Sequence, residues 1–514
     1  MRGLSGLMLV SLLVGCNVLR PLPDQAPSHA VEPDPASRLG REARGLAIPA
    51  GGESLFRLLE SGRAALVARL ALAERADRTL DLQYYLFHGD TSGRLLAQAL
   101  LRAADRGVRV RLLLDDVDTG GHEAAIIGLD AHPNIQIRLF NPFSLRGDNP
   151  IGRAAQFLGD DRLNHRMHNK LFVADNLMAI AGGRNIGDEY FQADSTVDFH
   201  DLDVVVAGPV VRDMSASFDA YWNSPHAVSA RALPSPDRRQ RLLDRVRQAL
   251  EKSLAELDQD TLFEYMNLDA LNGQAESELS PWLPGRAEFL SDPPQKVERT
   301  ATPSQLPLAR LLDKILGVRG EVLIASPYFV PGQVGVDLLG HLHGRGVTVK
   351  VLTNSIGATD VLVVHAGYAK YRLPMLHRGI ELYELKPARA RHKFFRRLAG
   401  GSSRASLHSK VMVFGQETVY IGSMNLDPRS LLLNTESGLL IHGPGVASAA
   451  ADFIERKMQP QSSYRVRLGE SPEGDKPILV WHDGDRKLTQ EPNLGFWARL
   501  LMGLISNSRW EEML

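Results

Sequence analysis

Two histidine–lysine pairs carry the reactive chemistry of this 514-residue chain. They are His168 and Lys170 in His168-Asn169-Lys170, and His408 and Lys410 in His408-Ser409-Lys410. Each pair heads an apolar run, Leu171-Phe172-Val173 in one case and Val411-Met412-Val413 in the other. If these runs are strands, their period of two puts each histidine and its lysine on one face. A neutral imidazole is a nucleophile near neutral pH and an ammonium is a phosphate-binding charge, so the pair suits attack on a phosphoester. Seventeen residues after each histidine an asparagine follows a Gly-rich turn: Asn185 in Gly182-Gly183-Arg184-Asn185, and Asn425 in Gly422-Ser423-Met424-Asn425. Its amide is suited to a phosphate oxygen. Further on each copy has an acid, Asp201 or Glu436. A lone His-x-Lys is weak evidence. Two copies, each with its own asparagine and acid, are strong evidence.

The elements around these residues are duplicated as well. Arg106-Gly107-Val108-Arg109-Val110 recurs as Arg345-Gly346-Val347-Thr348-Val349, offset by 239 residues, and reads as a helix end followed by a buried strand. The histidines and asparagines recur at an offset of 240, and the runs from Asp201 and Glu436 at 235, the difference being a change of loop length. Four landmarks in one order predict two copies of an α/β unit, each with a parallel or mixed sheet covered by helices. Between them, residues 231–258 have the charge and leucine spacing of an amphipathic helix and read as a connector.

Composition removes several alternatives. Lys plus Arg is 59 against 60 for Asp plus Glu, a formal net charge of -1, far from the surplus of a protein that coats nucleic acid. The single cysteine excludes an intramolecular disulfide, a Cys-rich zinc site and a Cys-ligated iron–sulfur cluster. What remains is mostly His, Lys and carboxylate chemistry.

With these blocks the chain resembles the phospholipase D superfamily, whose signature is H-x-K-x4-D followed by G-G/S-x-N. The first copy, HNKLFVAD then GGRN, matches through His168, Lys170, Asp175 and Asn185. The second, HSKVMVFG then GSMN, matches through His408, Lys410 and Asn425, with Gly415 where the signature has Asp. In this family that Asp supports the strand turn, so its loss is expected to be tolerated. The stretches GGRNIGDEYF (182–191), DLDVVVAGP (201–209), IGSMNLDPRS (421–430) and NTESGLLI (434–441) are most similar to bacterial cardiolipin synthases, particularly those of the C type.

The resemblance, which covers roughly residue 55 to the C-terminus, implies two similar α/β/α lobes, 51–225 and 301–470. They would be related by a pseudo-twofold axis, share one active-site cleft, and be joined by a helical connector over 226–300. It also implies divided labour. One imidazole attacks phosphorus to give a phosphohistidine, and the other donates a proton to the leaving alkoxide and takes one from the incoming alcohol. His168 is the nucleophile and His408 the acid on the resemblance alone, and the near symmetry leaves the reverse open. Asp201 and Glu436 are candidates to orient the rings. Lys170, Lys410, Asn185 and Asn425 would hold the phosphoryl oxygens without a metal or other cofactor.

The implied reaction passes a phosphatidyl group from a phospholipid to phosphatidylglycerol, giving cardiolipin, with phosphatidylethanolamine a second candidate lipid. Water in place of the alcohol would make the activity that of a phospholipase D. An inactive membrane-tethered scaffold would be expected to have lost a His or Lys, and both pairs are intact. No nucleic acid is an expected partner, and an accessory protein is left open.

The N-terminus reads as an address. Met1 to Gly15 has one early positive charge and an apolar run too short to span a bilayer, a secretory signal over 1–15. Leu13-Val14-Gly15-Cys16 resembles the lipobox of bacterial lipoproteins. Cys16 is therefore the expected lipid anchor, holding the protein in the bacterial cell envelope on a membrane and facing the periplasm. Asn17 leaves the choice of membrane open. Residues 16–50, with prolines at 21, 23, 27, 33 and 35, read as a tether unable to build a packed core. Two further stretches are candidate contacts with a membrane surface. One is the cationic run 386–404 with Phe394-Phe395; the other is the C-terminal segment 471–514, whose apolar helical periodicity lies over 493–514.

Overall fold

The computed structural model describes residues 19–20, 26–144, 146, 156, 160–193, 199–235, 238–256, 280–387, 406–471 and 477–493. The signal run, Cys16, the cationic run from 388 to 404 and the stretch from 494 onward lie outside them. Among the described residues no helix is long and apolar enough to cross a membrane.

The first lobe contains β1 (Ser54–Leu59), β2 (Thr79–Tyr84), β3 (Arg109–Asp115), β4 (Ile135–Phe140), β5 (Leu171–Ala174), β6 (Met178–Gly182), β7 (Phe199–His200), β8 (Asp203–Ala207) and β9 (Ala227–Ser229). All but β7 form a sheet in the order β1-β8-β6-β5-β2-β3-β4-β9, with β2, β3 and β4 parallel and the other pairs antiparallel. The second lobe contains β10 (Leu283–Ser291), β11 (Glu321–Ala325), β12 (Thr348–Asn354), β13 (Glu381–Leu385), β14 (Ser406–Leu407), β15 (Lys410–Phe414), β16 (Thr418–Gly422), β17 (Ser437–His442) and β18 (Ser463–Gly469). Their order repeats the first: β10-β17-β16-β15-β11-β12-β13-β18. Antiparallel pairing of β1 with β10, Ser54 opposite Gly285, fuses the two into one sheet.

The duplicated sequence signals have duplicated causes. Gly107 and Gly346 follow the helices Thr91–Asp105 and Gly332–Gly344 at φ of 96° and 84°. That left-handed conformation ends a helix and suits glycine, and it turns the chain into β3 and β12. Strands such as β5 and β8 are buried along their whole length, which is why they read as unbroken apolar runs. Each lobe has its own core on the outer sheet face. A third core contains Leu171, Val173 and Val204 together with Val411, Val413 and Leu439, as well as residues of the helices Val210–Trp222 and Pro444–Met458. The lobes therefore bury apolar surface against each other and are not independent units.

Three expected segments differ. Residues 26–50 of the tether lie along the first lobe: the helix Arg38–Gly45 buries Leu39, and Ser28 and Ala30 donate their N–H groups to Asn223 Oδ1 (3.0 Å) and Asp219 Oδ2 (2.7 Å). Arg78, Arg109 and Arg111 donate to the carbonyls of Glu32, His29 and Ser28. A proline-rich chain that builds no ladder of its own takes these partners from the lobe's side chains. Among the described residues of the connector 226–300, the α-helical part is Arg239–Ala255, which packs on the first lobe's helix Glu123–Asp130. The connector's two ends, β9 and β10, are sheet strands. Pro284 and Gly285 hide β10 from a local reading, because its strand character comes from long-range pairing. Part of the C-terminal segment, β19 (Ile478–Asp483) and β20 (Arg486–Leu488), extends the second sheet beyond β18.

Candidate active site

Each motif enters its strand through backbone bonds to the opposite lobe. His168 N–H donates to Thr435 O (2.9 Å), and Thr435 N–H donates to Arg166 O (2.9 Å). On the other side β14 pairs in parallel with β7, and His408 N–H donates to His200 O (2.8 Å). Thr435 and His200 are the residues immediately before Glu436 and Asp201. The acids consequently reach across: His168 Nδ1 is 2.8 Å from Glu436 Oε2, and His408 Nδ1 is 2.6 Å from Asp201 Oδ2. Both acids meet imidazoles, but each meets the ring of the other lobe. With Nδ1 engaged by a carboxylate, it is Nε2 of each ring that is left for chemistry.

Burial governs the charges. Burial lowers the His168 imidazole to about 4, and the Lys170 and Lys410 ammoniums add to this against the pull of Glu436. Burial and Lys410 lower His408 to about 3, with Lys170 contributing and Asp201 opposing. Each histidine thus feels the lysine of the other lobe, as expected of one shared site. For Asp201 burial acts upward but is outweighed by His408 and Lys410, which bring it to about 2. Burial of Glu436 is likewise outweighed, by His168, Lys170 and the Ser423 hydroxyl. Burial lowers Lys410 to about 8 and Lys170 well below its ordinary value, although neighbouring carboxylates oppose this. Burial thus favours the neutral form of both rings, while the neighbouring cationic groups favour the ionised form of both carboxylates.

The remaining expected residues are placed as follows. Lys170 Nζ donates to His168 O (2.6 Å), and Lys410 Nζ donates to His408 O and lies 3.1 Å from His408 Nε2. Asn185 sits within its own lobe, Nδ2 donating to Tyr190 Oη (3.0 Å) and Oδ1 accepting from Leu86 N–H (3.3 Å). Asn425 is buried, and its Oδ1 has no protein partner among the described residues. Asp175 is remote from the rings: it accepts the N–H groups of Asp77 (2.9 Å), Arg78 (2.8 Å) and Thr79 (2.8 Å) at the start of β2. Gly415 holds the matching turn at φ of 64° without a carboxylate. Asp175→Ala leaves these donors unpaired and is expected to lower unfolding stability by about 3 kcal/mol, measurable by urea denaturation; an unchanged midpoint would refute the capping role.

Several site residues escaped the sequence reading. Ser423, inside the second Gly-rich turn, donates its hydroxyl to Glu436. At the matching position Gly183 lies so close to Asp201 that a Cβ would sit 2.3 Å from Oδ1, which explains why this copy of the motif carries glycine there. The buried Arg184 guanidinium donates to the carbonyls of Leu59, Glu60, Tyr190 and Asp201, fixing the loop that carries the acid. Tyr85 meets His168 edge-on at 5.0 Å, and His408 packs against Phe199 and Tyr190, each at 5.1 Å, which also touch each other. Aromatic walls are a tertiary property with no signature of their own. Outside the site, ligand atoms of His88, Asp90 and Glu189 lie within 4.8 Å of one another. A hydrogen bond to Glu189 helps raise that histidine to about 9.

Comparison with known proteins agrees with the duplication. A family model described as cardiolipin synthase, PLD-like domain, matches residues 70–222 and again 311–458. Cardiolipin synthase C of Escherichia coli (strain K12) is 41% identical over 458 residues, spanning 87% of this chain and 93% of the relative. Cardiolipin synthase A of Pseudomonas entomophila (strain L48) is 28% identical over 80% of this chain and 69% of its own. The crystal structure of phosphatidylserine synthase from Haemophilus influenzae Rd KW20 shares the fold, with a TM-score of 0.54 at 14% identity over 84% of this chain and 92% of that one. A model that matches once per lobe and a relative alike along nearly its whole length settle the kinship: the chain belongs to the cardiolipin synthase, phospholipase D-like family.

Proposed function

We propose that this protein transfers a phosphatidyl group to a phosphatidylglycerol hydroxyl, forming cardiolipin through a phosphohistidine. The observation that carries the reading is the crossed pairing of His168 with Glu436 and His408 with Asp201. In the first step His168 Nε2 attacks phosphorus and the P–O bond to the leaving alkoxide breaks. His408 Nε2 supplies that alkoxide with a proton. In the second step the incoming hydroxyl attacks phosphorus and gives its proton to His408, and the P–N bond breaks to free His168. The first step requires His408 protonated, a state that burial disfavours. The negative phosphodiester opposes the lowering of the rings by the two ammoniums and so favours protonation of His408 when substrate binds. Lys170, Lys410, Asn185 and Asn425 are assigned to the phosphoryl oxygens.

The test is mass spectrometry of lipids after incubating the protein with labelled phosphatidylglycerol, with and without phosphatidylethanolamine. Labelled cardiolipin is expected. Phosphatidic acid alone would make the protein a hydrolase, and unchanged lipid would make it a scaffold. The pH profile offers a second check. The charged form of Lys410 binds phosphate and is lost as pH rises through about 8, so kcat/KM is expected to fall roughly tenfold per pH unit above that. A rate level to well above that pH would remove the Lys410 cation from the mechanism.

We further propose that Cys16 is acylated and holds the enzyme on a membrane of the bacterial envelope, facing the periplasm, next to both lipid reactants. The signal-like run Met1 to Gly15 and the lone cysteine at its end support this. Cys16→Ser is expected to move the protein from the membrane to the soluble fraction; retention there would transfer the anchoring to another segment.

A further inference from the structure

The first lobe holds a cavity of about 340 Å³ between the outer face of its sheet and the helices that cover it. Leu112 and Leu114 of β3 and Ile137 of β4 form its floor. Leu100, Ile126 and Leu250, from the helices Thr91–Asp105, Glu123–Asp130 and Arg239–Ala255, form its walls. An apolar cavity of about 150 Å³ already stays dry and takes up small hydrocarbons, and ligand sites begin at about 300 Å³. The duplicated architecture supplies a control. On the outer face of the second lobe, Tyr368, Met375 and Trp481 pack with Val351 and Leu382, and Trp481 Nε1 donates to a buried Glu384 that Arg372 also holds. The void is thus not a requirement of the fold.

Two features identify its occupant. The interior is aliphatic, and charged or titratable groups, among them His88, Arg94, Asp118 and His122, stand along the segments that enter it. The cavity also adjoins the reacting groups. Tyr85 lines it, and the same ring meets His168 at 5.0 Å and lies under Lys170 Nζ at 5.4 Å. Asp115, another lining residue, accepts the Met167 N–H (2.7 Å) next to His168. We propose that the first-lobe cavity takes one acyl chain of the phospholipid whose phosphate meets His168. This rests on reading the site as a phosphatidyltransferase. A chain anchored there fixes the phosphorus against one ring and leaves the other lobe to receive the second lipid.

The test uses the full chain and phosphatidylglycerol with a diazirine at the end of one acyl chain. Photolysis is expected to label peptides containing Leu112 to Leu114 or Val246 to Leu250. In parallel, Ala249→Trp narrows the cavity from an exposed position on the helix Arg239–Ala255. In folded A249W the ratio of cardiolipin made from dioleoyl lipid to that made from dihexanoyl lipid is expected to fall about tenfold. Label confined to other segments, or an unaltered ratio, overturns the proposal. If the wild type makes no cardiolipin from either lipid, the transferase reading fails, while the labelled peptides still decide the cavity.

Discussion

His168→Asn and His408→Asn each reduce cardiolipin formation by about 10²- to 10⁴-fold or more, because each removes a group that must bond to phosphorus or move a proton in every turnover. Asparagine keeps a polar side chain near the acid, so circular dichroism of both variants should match the parent. Their chemistry separates with a donor whose leaving group needs no proton, such as a p-nitrophenyl phosphatidyl ester. With His408→Asn, His168 still attacks and expels the nitrophenolate, but nothing takes the proton of the incoming alcohol, so a phosphatidyl adduct accumulates. With His168→Asn no adduct forms. Intact-protein mass spectrometry reads both outcomes. The opposite pattern would exchange the two roles, and activity within a few-fold of the parent in either variant would end the paired-histidine mechanism.

The reacting groups were legible in the sequence because their spacing is local. A histidine, a lysine two residues on and an asparagine seventeen residues on keep their separation in both copies, and the glycines at 107 and 346 marked the same helix ends. What the chain order cannot carry is which copy serves which. Asp201 lies 33 residues beyond His168 and Glu436 lies 28 beyond His408, so proximity would pair each acid with its own histidine. The fold crosses them, because the peptide groups of His200 and Thr435 are bonded to the opposite motif. The packed strap of residues 26–50 was hidden for a similar reason: its partners Asp219 and Asn223 lie 189 and 195 residues away. The cavity beside Tyr85 was hidden too, since its leucines and isoleucines read as ordinary core.

The crossed pairs make the second large prediction specific. Asp201→Asn removes the charge that sustains a protonated His408 and permits the amide to hold the wrong tautomer, a change worth about 10⁴-fold in kcat for the acid of a Ser-His-Asp triad. A loss of about 10²- to 10⁴-fold is therefore expected, and the same holds for Glu436→Gln. The location of the defect distinguishes the crossed geometry from pairing within a copy. In ¹⁵N spectra of the imidazoles, Asp201→Asn is expected to move the His408 signals while leaving those of His168 near their parent positions, and Glu436→Gln to do the reverse. The Ser423 hydroxyl, which donates to Glu436, can donate equally to the amide oxygen of the Glu436→Gln variant, so that side chain keeps its place and the change is one of charge. In the ester assay, Asp201→Asn should resemble His408→Asn by slowing release of the adduct, and Glu436→Gln should resemble His168→Asn by slowing its formation. If each acid instead disturbs the histidine of its own copy, the two lobes work as separate sites and the shared phosphorus between them is wrong.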